Sequence, residues 1–132
     1  MSCEPDLTFI SWASLDAGRV HLRPREHDQA EYIEIVGSPD LVVEIVSDSS
    51  VKKDTRLLRD AYARAAVGEY WLIDARGPDI RFEILSTLEG AFAATSGAGE
   101  PQASAILGGR WQLTRGRNRA GRFDYCLDRV AD

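Results

Sequence analysis

The fold is decided by residues 39–76, PDLVVEIVSDSSVKKDTRLLRDAYARAAVGEYWLIDAR. The segment LVVEIVS (41–47) is nearly all apolar, as in a strand that is buried on both faces. Apolar residues then recur at helical spacing over residues 53–66, and Gly68 is expected to end that helix. EYWLIDA (69–75) is a second apolar strand, and a connection of this length allows the two strands to run parallel. The stretch therefore predicts a strand–helix–strand unit.

The flanking sequence adds further strands to this unit. LTFISW (7–12) is short, β-branched and aromatic, and YIEIV (32–36) alternates between apolar and polar residues. The polar residues 13–31 between them predict a loop or a ragged hairpin. RFEILS (81–86) follows a turn and reads as a hairpin partner of the second apolar strand. Weaker strands follow in AFAAT, ASAIL, RWQLT and RFDYCLDRV. We therefore expect an α/β (α+β) domain with one main helix on a mixed, β-rich sheet.

Length and composition indicate an ordinary globular chain. Its 132 residues fit a single domain over 1–132, and 44% hydrophobic with 28% charged residues argues against disorder. Cys3 and Cys126 lie far apart without a CxxC motif and read as free thiols. His21 and His27 match no metal or nuclease motif and read as surface residues. Because no apolar run approaches the ~20 residues of a membrane helix and no secretory signal is recognisable, we predict a cytoplasmic location.

Charge is unevenly distributed along the chain. The net charge of -5 opposes non-specific attraction to nucleic acid over the whole surface. Residues 108–122, however, contain five arginines and no acid. Arg115, Arg117 and Arg119 are therefore candidates for contacts with DNA phosphates, with Trp111 as a stacking face. The alternative is a solvent-exposed hairpin whose arginines balance an acidic body.

Glu44 lies in the middle of the apolar strand and must be paired, protonated or metal-bound there. One interpretation is a salt bridge with Arg56 or Arg59, and the other is a metal ligand. A second metal-binding carboxylate must come from a neighbouring strand, and Asp6 at the start of LTFISW is the candidate. Asp40 lies four residues before Glu44, about 13 Å along the strand, so the two cannot share one cation directly. Asp40 is expected to serve as a turn or capping residue, or to support the metal in its second shell or through a water molecule.

Three segments carry a resemblance to a known family: EPD (4–6) before LTFIS, PDLVVEIVSDSSVKKD (39–54) and AYARAAVGEYWLIDAR (61–76). Together they resemble the Uma2 family of restriction-endonuclease-like domains, which have the PD-(D/E)XK nuclease fold. The resemblance covers residues 4–86, and residues 87–132 form a β-rich tail without a recognisable motif. It implies a Mg²⁺- or Mn²⁺-dependent hydrolase of DNA phosphodiester bonds, with Asp6 and Glu44 as its metal-binding acids.

The resemblance also reveals two departures from the family pattern. The lysine of many relatives falls at the position of Leu58, so Lys53, or its neighbour Lys52, would have to supply the ammonium group. These are the only two lysines of the chain, and the alternative is a solvated basic pair before a helix. The sequence also begins almost at the EPD strand, where relatives carry a preceding helix. We therefore expect a core without its N-terminal helix, whose exposed sheet face or edge favours a homo-oligomer.

Two functions follow from these observations. The first is a PD-(D/E)XK-type endonuclease that acts on DNA through Asp6, Glu44 and Lys53. The second is a catalytically inactive remnant of the fold that serves as an interaction or nucleic-acid-binding module. Leu58 favours the second, whereas the retained acids and the lysine pair favour the first.

Overall fold

The computed structural model describes residues 5–25, 28–46 and 55–131, and within them it contains two helices and ten strands. The elements are β1 (Leu7–Phe9), α1 (Trp12–Asp16), β2 (Val20–Arg25), β3 (Asp28–Gly37), β4 (Leu41–Ile45), α2 (Thr55–Arg64), β5 (Glu69–Asp74), β6 (Arg81–Leu88), β7 (Ala91–Ala94), β8 (Gln102–Ala103), β9 (Arg110–Arg117) and β10 (Phe123–Val130). Neither of these helices is long and apolar enough to cross a membrane.

A mixed five-stranded sheet forms the centre of the fold, in the order β1-β4-β5-β6-β7. β4 and β5 run parallel, and every other neighbouring pair is antiparallel. The predicted parallel pair on either side of the main helix is thus confirmed, as is the hairpin of β5 and β6. In the parallel register, Val42 lies opposite Tyr70 and Glu44 lies opposite Leu72.

The two faces of the central sheet carry separate apolar clusters, because successive strand residues point to opposite sides. On the α2 face, Val42 and Tyr70 pack with Tyr62 of the helix. On the other face, Leu41, Val43, Trp71 and Ile84 form the second cluster, against which Trp111 of β9 packs. Burial of such side chains contributes about 1.5–3 kcal/mol each. Both sides of the strand that carries Glu44 are therefore covered, as its apolar sequence predicts.

The second cluster is covered by a small sheet in the order β10-β9-β8. Gln102 of β8 is buried and joins the sheets, because its Oε1 atom accepts a hydrogen bond from the Ile84 N–H at 3.1 Å. At the far edge, β10 exposes Phe123, Tyr125 and Leu127. The weak strand signals of RWQLT and RFDYCLDRV thus correspond to real strands.

Two local predictions differ from the structure, and a third is confirmed in one of its alternatives. LTFISW is a strand only to Phe9, because the Ser11 hydroxyl accepts a hydrogen bond from the Ser14 N–H and starts α1. For residues 13–31 the hairpin alternative is confirmed, since β2 pairs with β3 and their register shifts between Pro24 and Arg25, although the first of these residues belong to α1. ASAIL is wrong as a strand: β8 ends at Ala103 and a turn follows, in which the Ser104 hydroxyl accepts from the Leu107 N–H.

The main helix ends earlier than its sequence suggests. α2 stops at Arg64, and Ala66 takes a left-handed conformation with φ 61°. Gly68 has a different role, because a Cβ atom there would lie 2.8 Å from the Asp40 carbonyl oxygen. Glycine at this position allows the chain leading into β5 to approach the start of β4 closely. The predicted start of the helix at Lys53 lies outside the described residues.

Candidate active site

Asp6 directly precedes β1, and Glu44 lies on the adjacent strand β4. Leu7 of β1 pairs with Val43 of β4 in an antiparallel register, which places Asp6 and Glu44 directly across from each other. The Asp6 carboxylate is fixed there, since its Oδ2 atom accepts a hydrogen bond from the Ile45 N–H at 2.7 Å. The structure thus brings together the two acids that the sequence singled out. Their role as metal ligands stays a prediction.

Glu44 is half-buried on the α2 face, and its one side-chain donor within the described residues is Tyr62. The Tyr62 hydroxyl donates to Glu44 Oε1 at 2.6 Å. Burial raises the pKa of Glu44, the Tyr62 hydrogen bond lowers it, and the negative charge of Asp6 raises it further. The balance leaves the pKa of Glu44 above its ordinary value. The carboxylate is therefore held in place without being neutralised by a cationic side chain in the described part of the chain.

Of the two arginines considered as salt-bridge partners of Glu44, the structure describes the side chain of Arg59. Arg59 donates instead to the Phe92 carbonyl oxygen at 2.7 Å, through Nη2. The side chain of Arg56 lies outside the described portion. Arg59 is thus bonded to the chain at β7 rather than to the acid.

The chemistry of this pair of acids fits a hard divalent cation. Mg²⁺ is commonly bound by one or two carboxylates together with water and substrate phosphates. Each acid here has one oxygen that accepts a hydrogen bond, from Ile45 or Tyr62, and a second oxygen that could face a cation. A cation between them would also relieve their mutual repulsion. No group of three or more acids, histidines or cysteines is placed to hold a metal within residues 5–25, 28–46 and 55–131.

Asp40 occupies the other end of β4 and is engaged with α1. Its carboxylate accepts hydrogen bonds from the Ser11 N–H at 2.6 Å and from the Ser14 hydroxyl at 2.8 Å. Partial burial works to raise the pKa of Asp40, but these hydrogen bonds and the charge of Arg19 outweigh it, so the pKa lies below its ordinary value. Asp40 therefore stabilises the turn at the start of α1, and any contribution to metal binding stays a prediction.

The candidate catalytic lysine belongs to a segment outside the described residues. Lys52 and Lys53 lie outside the described residues, as do Cys3 and His27. Leu58 belongs to α2, and its side chain lies outside the described part, so its expected core orientation is untested. The role of Lys53 stays a prediction.

The three candidate DNA-contacting arginines lie in and beside the β9–β10 hairpin. Arg115 donates to the carbonyl oxygens of Ala75, Gly77 and Pro78 at 2.7–3.0 Å, and so ties the hairpin to the β5–β6 turn. Its guanidinium group lies 4.5 Å from the ring centroid of Phe123, and that of Arg117 lies 4.4 Å from it. Arg119 is exposed in the connecting turn. Arg115 thus has a structural role whether or not it also contacts DNA.

Sequence reasoning missed a second strand-borne acid, Glu69. This residue is 1% exposed, on the sheet face opposite to Glu44. It accepts hydrogen bonds from Trp71 Nε1 at 3.0 Å, the Ser104 hydroxyl at 2.8 Å and the Ile106 N–H at 2.9 Å. Its position at the start of the apolar run EYWLID was an available signal, because an acid there requires a partner. The link between Tyr62 and Glu44 had no such signal, since helical spacing marks Tyr62 only as a core residue.

The mixed, strand-rich sheet with helix α2 on one face is consistent with a restriction-endonuclease-like fold. The Uma2 family, described as "Putative restriction endonuclease", matches residues 2–115. The chain belongs to this family. The match extends beyond residues 4–86, where the resemblance was recognised, and takes in β8 and most of β9. No curated protein matches the chain.

Proposed function

We propose that the chain is a Mg²⁺- or Mn²⁺-dependent endonuclease domain that hydrolyses DNA phosphodiester bonds. The observation that carries the proposal is the placement of Asp6 directly across from Glu44, fixed by the Ile45 N–H. These two side chains would hold the metal. A bound divalent ion would polarise the phosphate and lower the pKa of a bound water molecule.

The residues around the acids support this role by fixing their orientation. Tyr62 holds one oxygen of Glu44, and the Ile45 N–H holds one oxygen of Asp6. Such preorganisation spares the site the cost of ordering two carboxylates when a cation binds. Lys53 is proposed to balance the charge that develops on the phosphate, which an ammonium group can do without binding the metal.

Cleavage of plasmid DNA in Mg²⁺ or Mn²⁺, compared with EDTA, tests the proposal. We expect Asp6→Asn, Glu44→Gln and Lys53→Ala each to abolish cleavage. Metal affinity, measured by calorimetry, should fall for Glu44→Gln and survive in Lys53→Ala, because an ammonium group is no metal ligand. Glu89→Gln, which neutralises an exposed acid in the β6–β7 turn, is the matched control. Unchanged cleavage by Glu44→Gln would refute the assignment.

DNA binding is proposed to involve the arginines of the β9–β10 hairpin. Because Arg115 is bonded to three carbonyl oxygens, Arg117→Gln combined with Arg119→Gln is the cleaner test. Each lost phosphate contact should reduce the salt dependence of DNA binding by roughly one unit of log–log slope. Fluorescence anisotropy of labelled DNA across a salt series measures this slope. An unchanged slope would assign these arginines to the solvated hairpin alternative.

The alternative function, an inactive remnant that binds partners or nucleic acid, is favoured by Leu58 at the lysine position implied by the family resemblance. Leu58→Lys separates the two readings. Restored or increased cleavage would place this position beside the site, whereas a lower melting temperature without cleavage would place it in the apolar stripe of α2. If the wild-type chain neither cleaves DNA nor binds the ion at millimolar concentration, the remnant function is correct.

A further inference from the structure

A cavity of about 610 Å³ lies on the α2 face of the central sheet, between the helix and β5–β7. Leu72, which pairs with Glu44 across the parallel register, forms part of its lining. Neighbouring strands are roughly 4.8 Å apart, so the cavity begins one strand away from the proposed metal site. Its volume is in the range of cavities that bind small organic ligands.

The cavity is basic, although the chain as a whole is acidic. Arg59 and Arg64 line it from α2, and Arg81 lines it from β6. Asp60 is the one acid in the lining, and Glu83 pairs with Arg81 from outside it at 3.0 Å. Three arginines in one lining favour an anion that can accept several hydrogen bonds, and phosphate has this property, although Arg59 already donates to the Phe92 carbonyl oxygen.

Tyr70 provides a second, independent indication of a ligand. The residue is 0% exposed beside the cavity, and its covered hydroxyl group has no hydrogen-bond partner within the described residues, so a ligand reaches it only when neighbouring side chains move aside. Burial raises the pKa of Tyr70 to about 12, and like any tyrosine hydroxyl it is a hydrogen-bond donor at neutral pH. A buried donor without an acceptor is costly in the free protein, and a ligand oxygen would remove that cost.

The rest of the lining is apolar and aromatic. Leu72, Leu85 and Phe92 lie beside the Tyr70 ring, whose centroid is 5.6 Å from that of Phe92. An inorganic anion alone would leave this surface uncovered. A ligand that combines a phosphate group with a planar ring matches both halves of the cavity.

We propose that this cavity binds a phosphate-bearing ligand of nucleotide size, in which Arg64 and Arg81 pair with the phosphate and the Tyr70 hydroxyl donates to a ligand oxygen. The natural source of the ligand rests on the proposed function, under which it is a nucleotide of the DNA strand beside the cleaved bond. A free nucleotide has the same chemistry. Binding itself requires no metal, so the cavity can be tested separately from cleavage.

The experiment measures binding of deoxyadenosine monophosphate by calorimetry in EDTA, with inorganic phosphate and deoxyadenosine as partial ligands. The complete nucleotide should bind more tightly than either part. Tyr70→Phe should weaken nucleotide binding about tenfold or more, as expected for a lost hydrogen bond to a charged acceptor. Arg81→Gln should have a similar effect. Arg110→Gln, on β9 and outside the lining, should leave binding unchanged.

Melting temperatures in the absence of nucleotide add an independent readout. Because the Tyr70 hydroxyl has no partner in the described part of the chain, Tyr70→Phe should be as stable as the wild type or more stable. If Tyr70→Phe fails to fold, Arg81→Gln decides the matter. Wild-type affinity in the folded variants, an equal loss in Arg110→Gln, or no nucleotide binding at millimolar concentration would each overturn the proposal.

The source of the ligand and the proposed function are tested by separate arms. A single-stranded oligonucleotide that binds more tightly than the free nucleotide, and is weakened by Tyr70→Phe, would support a DNA ligand. If the free nucleotide binds and the oligonucleotide does not, the ligand of the cavity is a free nucleotide and the proposed contact with DNA is refuted. Nucleotide binding without metal-dependent cleavage would keep the cavity and refute the nuclease. Cleavage without nucleotide binding would support the nuclease and refute the cavity as a nucleotide site.

Discussion

Tyr62→Phe isolates the hydrogen bond that orients Glu44. The substitution keeps the ring, which is 4% exposed and packs 5.6 Å from the Tyr70 ring, so it leaves the apolar cluster filled. What it removes is the 2.6 Å hydrogen bond to the Glu44 carboxylate. Hydrogen bonds to charged groups contribute about 1.5–3 kcal/mol, and half-burial of Glu44 places this one near the lower limit. We therefore expect a loss of about 1–2 kcal/mol in the free energy of unfolding at neutral pH.

The loss should depend on pH with a definite sign. The Tyr62 hydrogen bond lowers the pKa of Glu44, so its removal raises that pKa further. The variant is therefore most destabilised above the pKa of Glu44, where the carboxylate is ionised. As the pH falls through that pKa, the carboxyl becomes neutral and the loss shrinks towards the value of a neutral hydrogen bond, about 0.5–1.5 kcal/mol.

Urea denaturation followed by tryptophan fluorescence between pH 4 and 8 measures both quantities. A double-mutant cycle with Glu44→Gln assigns the coupling energy to this pair, since Tyr62 makes another interaction besides this one. Tyr125→Phe, on exposed β10, is the matched control and should have no measurable effect. A pH-independent loss with zero coupling would refute the claim that Tyr62 positions Glu44.

Three further substitutions test the structural contacts. Asp40→Asn should cost about 1 kcal/mol at neutral pH; because the pKa of Asp40 is lowered, this loss should disappear in urea titrations as the pH falls below 3.8. Glu69→Gln places an amide donor among three donors and should cost about 3 kcal/mol, which lowers the melting temperature by roughly 10 °C; an unchanged melting temperature would show that these donors find other acceptors. Arg115→Ala should cost about 1–3 kcal/mol in chemical denaturation, with Arg119→Ala as the near-neutral control; equal values for both would refute the anchoring of the hairpin.

The sequence predicted the central unit of the fold because its pattern there is strong and local. An apolar strand, a helical stripe and a second apolar strand have one common arrangement, and β4 and β5 are parallel as expected. The predictions for the short elements α1 and β8 were wrong for a different reason. Helix α1 depends on Ser11 and on Asp40 from a distant turn, and the end of β8 depends on Ser104 contacting Glu69. The contacts of Asp40 and Ser104 are tertiary and are not recorded by periodicity along the chain, whereas the Ser11 cap is a local signal.

The candidate site was predictable from one charged residue that does not fit its apolar surroundings. Glu44 in an apolar strand required a partner, and the search for a second carboxylate on a neighbouring strand led to Asp6, which the register places across from it. Tyr62 and Tyr70 were not predictable as polar groups. Each lies in an apolar pattern, and only the packing of α2 on the sheet brings one hydroxyl to Glu44 and leaves the other without a partner among the described residues.

Glu44 and Glu69 show how the structure separates two acids that the sequence presents alike. Each lies on an apolar strand of the same parallel pair. Glu69 is surrounded by three donors that satisfy its charge, so its role is explained by the attachment of the small sheet. Among the described residues Glu44 has a single side-chain donor and lies near another carboxylate, an arrangement that costs stability in the free protein. A divalent cation bound between the pair, as proposed above, would remove that cost.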